Sequence, residues 1–432
     1  MDIRDKLRQI NSLRRKSDLT VGSAGRSISR TEDFEIGNIL AVVEKPTPFG
    51  AFFCHQKNCP ANYRHGSIEI SALLTKPSEL LGVIAQNQTL AKIDLKKIIF
   101  FDTETTGVSG GVGMYAFLVG LGFFSDGGFT VLQFFLDDIQ DERALLHEFN
   151  NLLENCELVV SYNGKSFDAP LLETRNIVHR LHNRLNQLPH LDLLHCARRL
   201  WRQALPDCAL TTIEAQILEH RRLGDIPSFL IPHLYFDYLR ERDARPLLPV
   251  FYHNQQDVLA MAALLVKLCN LFENPFGEAE EPVVIMSLAK VFENLFQHER
   301  AIELYNQLLQ NQIATNLRRE ALMRLAFGYK RMGNWPRAAQ AWQRYLSSEP
   351  FHPLPYIELA KYYEHRQQRL DQAKQLVEKA LTEVQIIEGL GRKTDWLVYK
   401  EDLEYRRKRL IRKLHARRPS PARAPLLDIS CE

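Results

Sequence analysis

Cysteine is sparse in this chain, seven residues in 432, and an odd number scattered along the whole length excludes a dense disulfide framework and favours a reducing compartment. Net charge is nearly absent as well. Fifty-five Lys and Arg against 52 Asp and Glu leave +3, so no whole-molecule field selects a polyanion or a membrane surface. No apolar run approaches the ~20 residues of a membrane span, and the charged N-terminus lacks the apolar core of a secretory signal. A cytoplasmic chain with no membrane partner is the expectation. A nucleotide-binding loop is missing too. Gly164-Lys165-Ser166 ends like one, but Val159 stands where its leading glycine is needed, and the glycine-rich stretch 107–113 lacks the Lys-Ser/Thr ending.

What is present suggests two or three domains. Residues 1–33 mix Ser, Gly and basic side chains and read as mobile, with Ile3, Leu7 and Ile10 able to support a short helix. Residues 34–95 carry short strand signals, ILAVVEK and GAFFCH, then a helical pattern near Ser71 to Ile84, and read as a small β-containing region packed on the next domain. Cys54, His55, Cys59 and His65 fall there, but the loose Cys-x4-Cys spacing with no second pair reads better as free thiols than as a zinc site. From 283 to 387 small and aromatic residues recur: Leu288, Ala289, Phe292, Ala301 and Tyr305 return as Leu325, Ala326, Tyr329, Ala338 and Trp342, then as Leu359, Ala360, Tyr363 and Ala373. That periodicity is tetratricopeptide-like and predicts stacked helical pairs with a groove for a protein or peptide. Residues 388–432 form a basic tail, which reads either as a solvated run or as a holder of polyanion.

The chemistry lies in 96–272. KKIIFFDTETTG begins with Ile98 to Phe101, a strand buried on both faces, and delivers Asp102 and Glu104 on one side of its end. Two adjacent carboxylates at the edge of an apolar core repel each other unless a cation neutralises them; alone, such a pair reads far more often as part of a solvated loop. Two apolar runs around a Ser-Asp-Gly-Gly turn then predict a hairpin and, with the first strand, a three-stranded meander. A helix at 141–155 and a fourth strand, ELVVSYN, follow. Asp168 comes next at a helix start, where by itself it reads as a cap. In VFYHNQQDVLAMAALLVKL, His253 and Asp257 stand one helical turn apart, whereas Tyr252 points ~140° away from Asp257. Together, Asp102, Glu104, Asp168 and Asp257 make a set of oxygen donors suited to two Mg²⁺ or Mn²⁺ ions, with His253 as candidate base.

In that order, FDTETTG, YNGKSFDAPLL and HNQQDVLAM resemble the three motifs of the DEDD 3′-to-5′ exonucleases of the ribonuclease H-like superfamily. GGVGMYAFLVGLG and GDIPSFLIPHLY are similar to its YprB-like branch. The resemblance spans about 34–269. It implies an α/β fold with a mixed five-stranded sheet flanked by helices, followed by the all-α tetratricopeptide-like repeats. It also implies metal-dependent hydrolysis at a single-stranded DNA or RNA end, with Asp102, Glu104, Asp168 and Asp257 as metal ligands. One departure stands out: members place Tyr four residues, or His five residues, before the last Asp, and here His253 is four before and Tyr252 five before. The rival reading is a catalytically weak nucleic-acid-binding or adaptor protein whose repeats are the working part.

Overall fold

The computed structural model describes residues 35–107, 113–279, 281–390 and 398–417; the basic start at 1–33, most of the glycine-rich loop and the end of the basic tail lie outside them. The chain divides into two compact units, with the boundary after Ala279.

The first unit is built on a seven-stranded mixed sheet in the order β1-β2-β7-β6-β5-β8-β9, with a separate two-stranded hairpin, β3-β4. The strands are β1 (Val43–Thr47), β2 (Gly50–Pro60), β3 (Arg64–His65), β4 (Ile68–Glu69), β5 (Ile98–Thr105), β6 (Ala116–Ser125), β7 (Gly128–Phe135), β8 (Leu158–Ser161) and β9 (His190–Asp192). β5, β6 and β7 form the expected antiparallel meander, while β8 and β9 join in parallel. These five make the expected sheet; β2 extends it by pairing with β7, and β1 pairs in turn with β2. Residues 34–95 therefore contribute strands to the sheet itself. ILAVVEK is divided, with a helical turn at Ile36–Ile39 and the strand beginning at Val43, and the pattern near Ser71 splits into a 3₁₀ segment, Ile70–Thr75, and helix α1, Glu79–Ala85.

Helices cover both faces: α2 (Glu142–Leu153), α3 (Asp168–Val178), α4 (Leu193–Trp201), α5 (Leu210–Gln216), α6 (Ile231–Glu241) and α7 (Leu248–Glu273). Ile98 to Phe101 are at most 3% exposed, as a strand covered on both sides requires. Odd-numbered residues of β5 and β6 meet α2 and α6, where Phe101 packs edge-on to Phe149 and Phe117 stacks on Tyr235 at 4.0 Å. Even-numbered ones face α7. Close approach on that face depends on Gly120 and Gly122: a Cβ on Gly120 would lie 2.3 Å from Asn254 Oδ1, and one on Gly122 would lie 2.5 Å from Val258 Cγ1.

Helix α7 corrects one sequence expectation. With its lead-in, Arg245–Glu273, it has the length and apolar content of a membrane span, the only such segment among the described residues. Asn254, Gln255, Gln256 and Asp257 interrupt the apolar run and so hide it from a residue-by-residue reading. It is a core helix: 83% of the apolar window is buried within the protein.

The second unit consists of helical pairs α8 (Pro282–Asn294) with α9 (His298–Leu308), α10 (Thr315–Arg331) with α11 (Trp335–Ser348), and α12 (Pro353–His365) with α13 (Leu370–Gly389), followed by α14 (Val398–Arg417). The recurring residues fill the contacts between helices: Leu288, Ala289, Tyr305, Ala326, Ala338, Trp342, Ala360 and Ala373 are all buried. The basic run is not a free tail where it is described. It forms α14, which inserts Leu403 and Leu410 into a core with α12 and α13, and buried Glu364 takes Arg409 at 2.5 Å and Lys413 at 2.8 Å. Cations committed to a buried carboxylate are withdrawn from binding phosphates.

Candidate metal centre

Alternation along β5 places Asp102 and Glu104 on the face that meets α7. Asn254 Nδ2 donates to Asp102 Oδ2 at 2.9 Å, and Asn254 Oδ1 in turn accepts from Gln133 Nε2 at 2.9 Å. Asp168 begins α3, but its side chain does not cap the helix; it accepts from Thr103 Oγ1 at the free edge of β5, beyond the point where pairing with β8 ends. Asp192, buried at the end of β9, accepts from the backbone of Asn163 at 2.8 Å and Lys165 at 3.2 Å and so shapes the turn leading to Asp168. One turn of α7 brings His253 Nε2 to 3.5 Å from Asp257 Oδ2.

Glu104, His253 and Asp257 each offer a ligand atom within 4.8 Å of the others. Asp102 and Asp168 stand outside that tight group but within electrostatic reach of it. All four acids are pushed upward. Burial lifts Asp102 well above the carboxylate range, and Asp257, Glu104 and Asp168 add repulsion. Burial, with Asp257 and Asp168 nearby, takes Glu104 to about 8 despite His253; burial takes Asp168 to about 6 against its bond from Thr103. Burial raises Asp257 too, opposed by Arg222 and His253. Uncompensated buried negative charge of this kind is what a divalent cation relieves, and a set of carboxylate oxygens fits Mg²⁺ or Mn²⁺.

Sequence reasoning missed three partners. Arg222, 4% exposed, pairs with Asp257, with Glu214 at 2.5 Å and with Asp225 at 3.2 Å. Asp225 accepts from His253 Nδ1 at 2.7 Å and thereby turns Nε2 toward the acids. Against burial, Asp225, Asp257 and Glu104 raise His253 to about 9. Asn254 is the third. Arg222 and Asp225 sit in a segment without periodicity; Asp225 is the second residue of GDIPSFLIPHLY and Arg222 stands two residues before that stretch begins, the one mark the sequence puts on them. Tyr252 lies on the other side of α7, near Tyr63. The Cys54 group does not gather: Cys54 and Cys59, five apart on β2, are buried free thiols on opposite faces, His55 bonds Gln133, and His65 bonds Glu214.

The curated relative "Uncharacterized protein YprB" of Bacillus subtilis (strain 168) is 32% identical over 349 residues, 78% of this chain and 83% of that protein. The chain belongs to the YprB family. Its first unit matches the RNase_H superfamily model over residues 99–269, and its second matches the Tetratricopeptide repeat model over 320–352. This YprB-family chain is thus a ribonuclease H-like protein with tetratricopeptide repeats, and members of that superfamily are typically nucleases. A family B DNA polymerase from the hyperthermophilic archaeon Pyrobaculum calidifontis shows a partial likeness: 15% identity, a TM-score of 0.33, and coverage of 55% of this chain and 29% of the polymerase.

Two predictions follow from the site's packing. Gly120→Ala places a methyl where Asn254 Oδ1 now sits, so Asn254 must give up Asp102 or Gln133; urea denaturation should show a loss of about 1–3 kcal/mol, and an unchanged midpoint would refute the crowding argument. The second concerns pH. Glu104 titrates near 8 when folded against an ordinary 4.5, so between those values the unfolded chain has released a proton that the folded chain keeps, and stability falls as pH rises. His253, raised from 6.5 to about 9, acts in the same direction. The melting midpoint of chelator-treated protein should therefore drop from pH 5 to pH 8, and Mn²⁺ should restore more of it at pH 8, where protons compete less with the cation for the acids. A flat profile with no metal response would contradict the burial of uncompensated acids.

Proposed function

We propose that the first unit is a 3′-to-5′ exonuclease that hydrolyses phosphodiester bonds at a single-stranded DNA or RNA end, using two Mg²⁺ or Mn²⁺ ions in the cytoplasm. The observation that carries this reading is the convergence of Asp102, Glu104, Asp168 and Asp257 at one end of β5, with their pKa values all raised. When bound, a divalent pair supplies Lewis-acid stabilisation for in-line displacement at phosphorus. The chain's own part is positional: Asn254 holds Asp102, Thr103 holds Asp168, and Asp225 fixes His253 with Nε2 facing the acids, where the charge of a bound cation would lower its raised pKa and let it take up a proton. Phe167, 60% exposed and one residue before Asp168, offers a face on which a terminal base can stack. The test is incubation of the full chain with end-labelled single strands of DNA and of RNA in Mn²⁺, beside an Asp102→Asn control. Degradation no faster than that of the control would leave the adaptor reading.

For the second unit, a protein or peptide partner is supported by the repeat match and by a groove of about 490 Å³ whose lining includes Glu293, Arg319, Glu320, Met323, Phe327 and Tyr345, a mixture of apolar groups and charges of both signs.

A further inference from the structure

A second group of metal-ligating side chains lies on the far side of Arg222. His65, Glu214 and His220 each offer a ligand atom within 4.8 Å of the others. His65 and Glu214 are 0% and 1% exposed, with His65 Nε2 2.8 Å from Glu214 Oε1, and the rings of His65 and His220 lie 4.0 Å apart. As a hydrogen-bonded cluster it is incomplete. Among the described residues His65 Nδ1 and His220 Nε2 are buried with no partner, although leaving a buried polar atom unpartnered is costly. Glu214 has no need of a charged histidine, since Arg222 Nε already donates to its other oxygen at 2.6 Å.

Each feature suits a cation. His220 bonds Gln256 on α7, and because its Nε2 has no partner that bond runs through Nδ1, leaving the Nε2 lone pair free. A ring held through one nitrogen with the other bare is the usual arrangement of a metal-ligating histidine. Burial and the neighbouring His65 keep His220 below its ordinary range and so neutral, the form that ligates. The frame is rigid. Gly66, at φ +61°, sits so close to the turn after α5 that a Cβ would fall 1.9 Å from Leu218 O, and Ser67 N donates to that same carbonyl at 2.9 Å. Half-buried His220 provides the approach from solvent.

We propose that His65, Glu214 and His220 bind one Zn²⁺ that braces the β3-β4 hairpin to the segment carrying Arg222 and Asp225. Two imidazoles and a carboxylate are a zinc donor set, unlike the carboxylate-rich set of the first centre. Glu214 would then ligate through one oxygen and accept from Arg222 through the other, linking the brace to Asp257.

The test uses the full chain, chelator-treated and titrated calorimetrically with Zn²⁺ in excess Mg²⁺. An Asp102→Asn/Glu104→Gln chain, with the first centre weakened, should still bind one tight equivalent. Adding His220→Gln in that background should weaken it at least about tenfold, and the visible band of a tetrahedral Co²⁺ substitute should disappear. His65→Gln should do the same, but because His65 is fully buried, His220→Gln, checked for folding by circular dichroism, is the deciding variant. No tight equivalent in the Asp102→Asn/Glu104→Gln chain, or unchanged affinity on adding His220→Gln, would overturn the proposal.

Discussion

Asp102→Asn should reduce Mn²⁺-dependent phosphodiester hydrolysis on the order of a thousandfold or more, the scale on which single groups facing transition-state charge act. Asparagine keeps the shape and can still bond Asn254 after an amide turn, so what is removed is the charge. The same change supplies a second readout independent of turnover. Asp102 is pushed upward by burial and by three neighbouring acids, so replacing it with a neutral group should raise the melting midpoint of chelator-treated protein while lowering its response to Mn²⁺. His253→Ala should cost less, roughly a hundredfold, with Mn²⁺ affinity kept, and Tyr252→Phe should have little effect because Tyr252 faces away from the acids. Full turnover in Asp102→Asn would end the metal-hydrolase reading; a larger loss for Tyr252→Phe than for His253→Ala would reassign the base.

Arg222→Met should destabilise the first unit by about 3–5 kcal/mol in urea denaturation, the range for breaking a buried ion pair by removing one partner. Arg222 is shared by three carboxylates, and methionine fills a similar volume while leaving Glu214, Asp225 and Asp257 without their common cation. Mn²⁺ should recover part of the loss, because Asp257 then has another positive partner. Activity should fall too, through Asp225 and its hold on His253. A loss under about 1 kcal/mol would mean that the three acids are compensated from elsewhere.

Much of this arrangement is legible in the residues themselves, and the reason is local periodicity. Ile98 to Phe101 announce a strand covered on both faces, alternation then sets Asp102 beside Glu104, and a helical turn sets His253 beside Asp257. The repeat spacing in the second unit reflects the same kind of regularity. What stayed hidden depends on contacts between distant segments. Arg222 meets Asp257 across 35 positions, and Asn254 reaches Asp102 across 152. Nothing in either neighbourhood signals the other. β2 looks like a strand, but its partner β7 lies some seventy residues on, so the widening of the sheet is invisible locally. The basic run from Arg406 reads as solvated because charge dominates it; Leu403 and Leu410, seven apart on one face of α14, are too few to announce a docked helix before Glu364 is known to lie beneath it.

Helix α7 carries His253, Asn254 and Asp257 on an element whose middle turns are almost wholly enclosed. A side chain on such a helix has little rotational freedom left to lose when substrate arrives. The entropy of ordering these groups has already been spent in folding, once per molecule instead of once per turnover. The same enclosure makes a local adjustment of one ligand inseparable from movement of the core, so changes of specificity are more readily accommodated on the exposed side, around Phe167, than among the acids themselves.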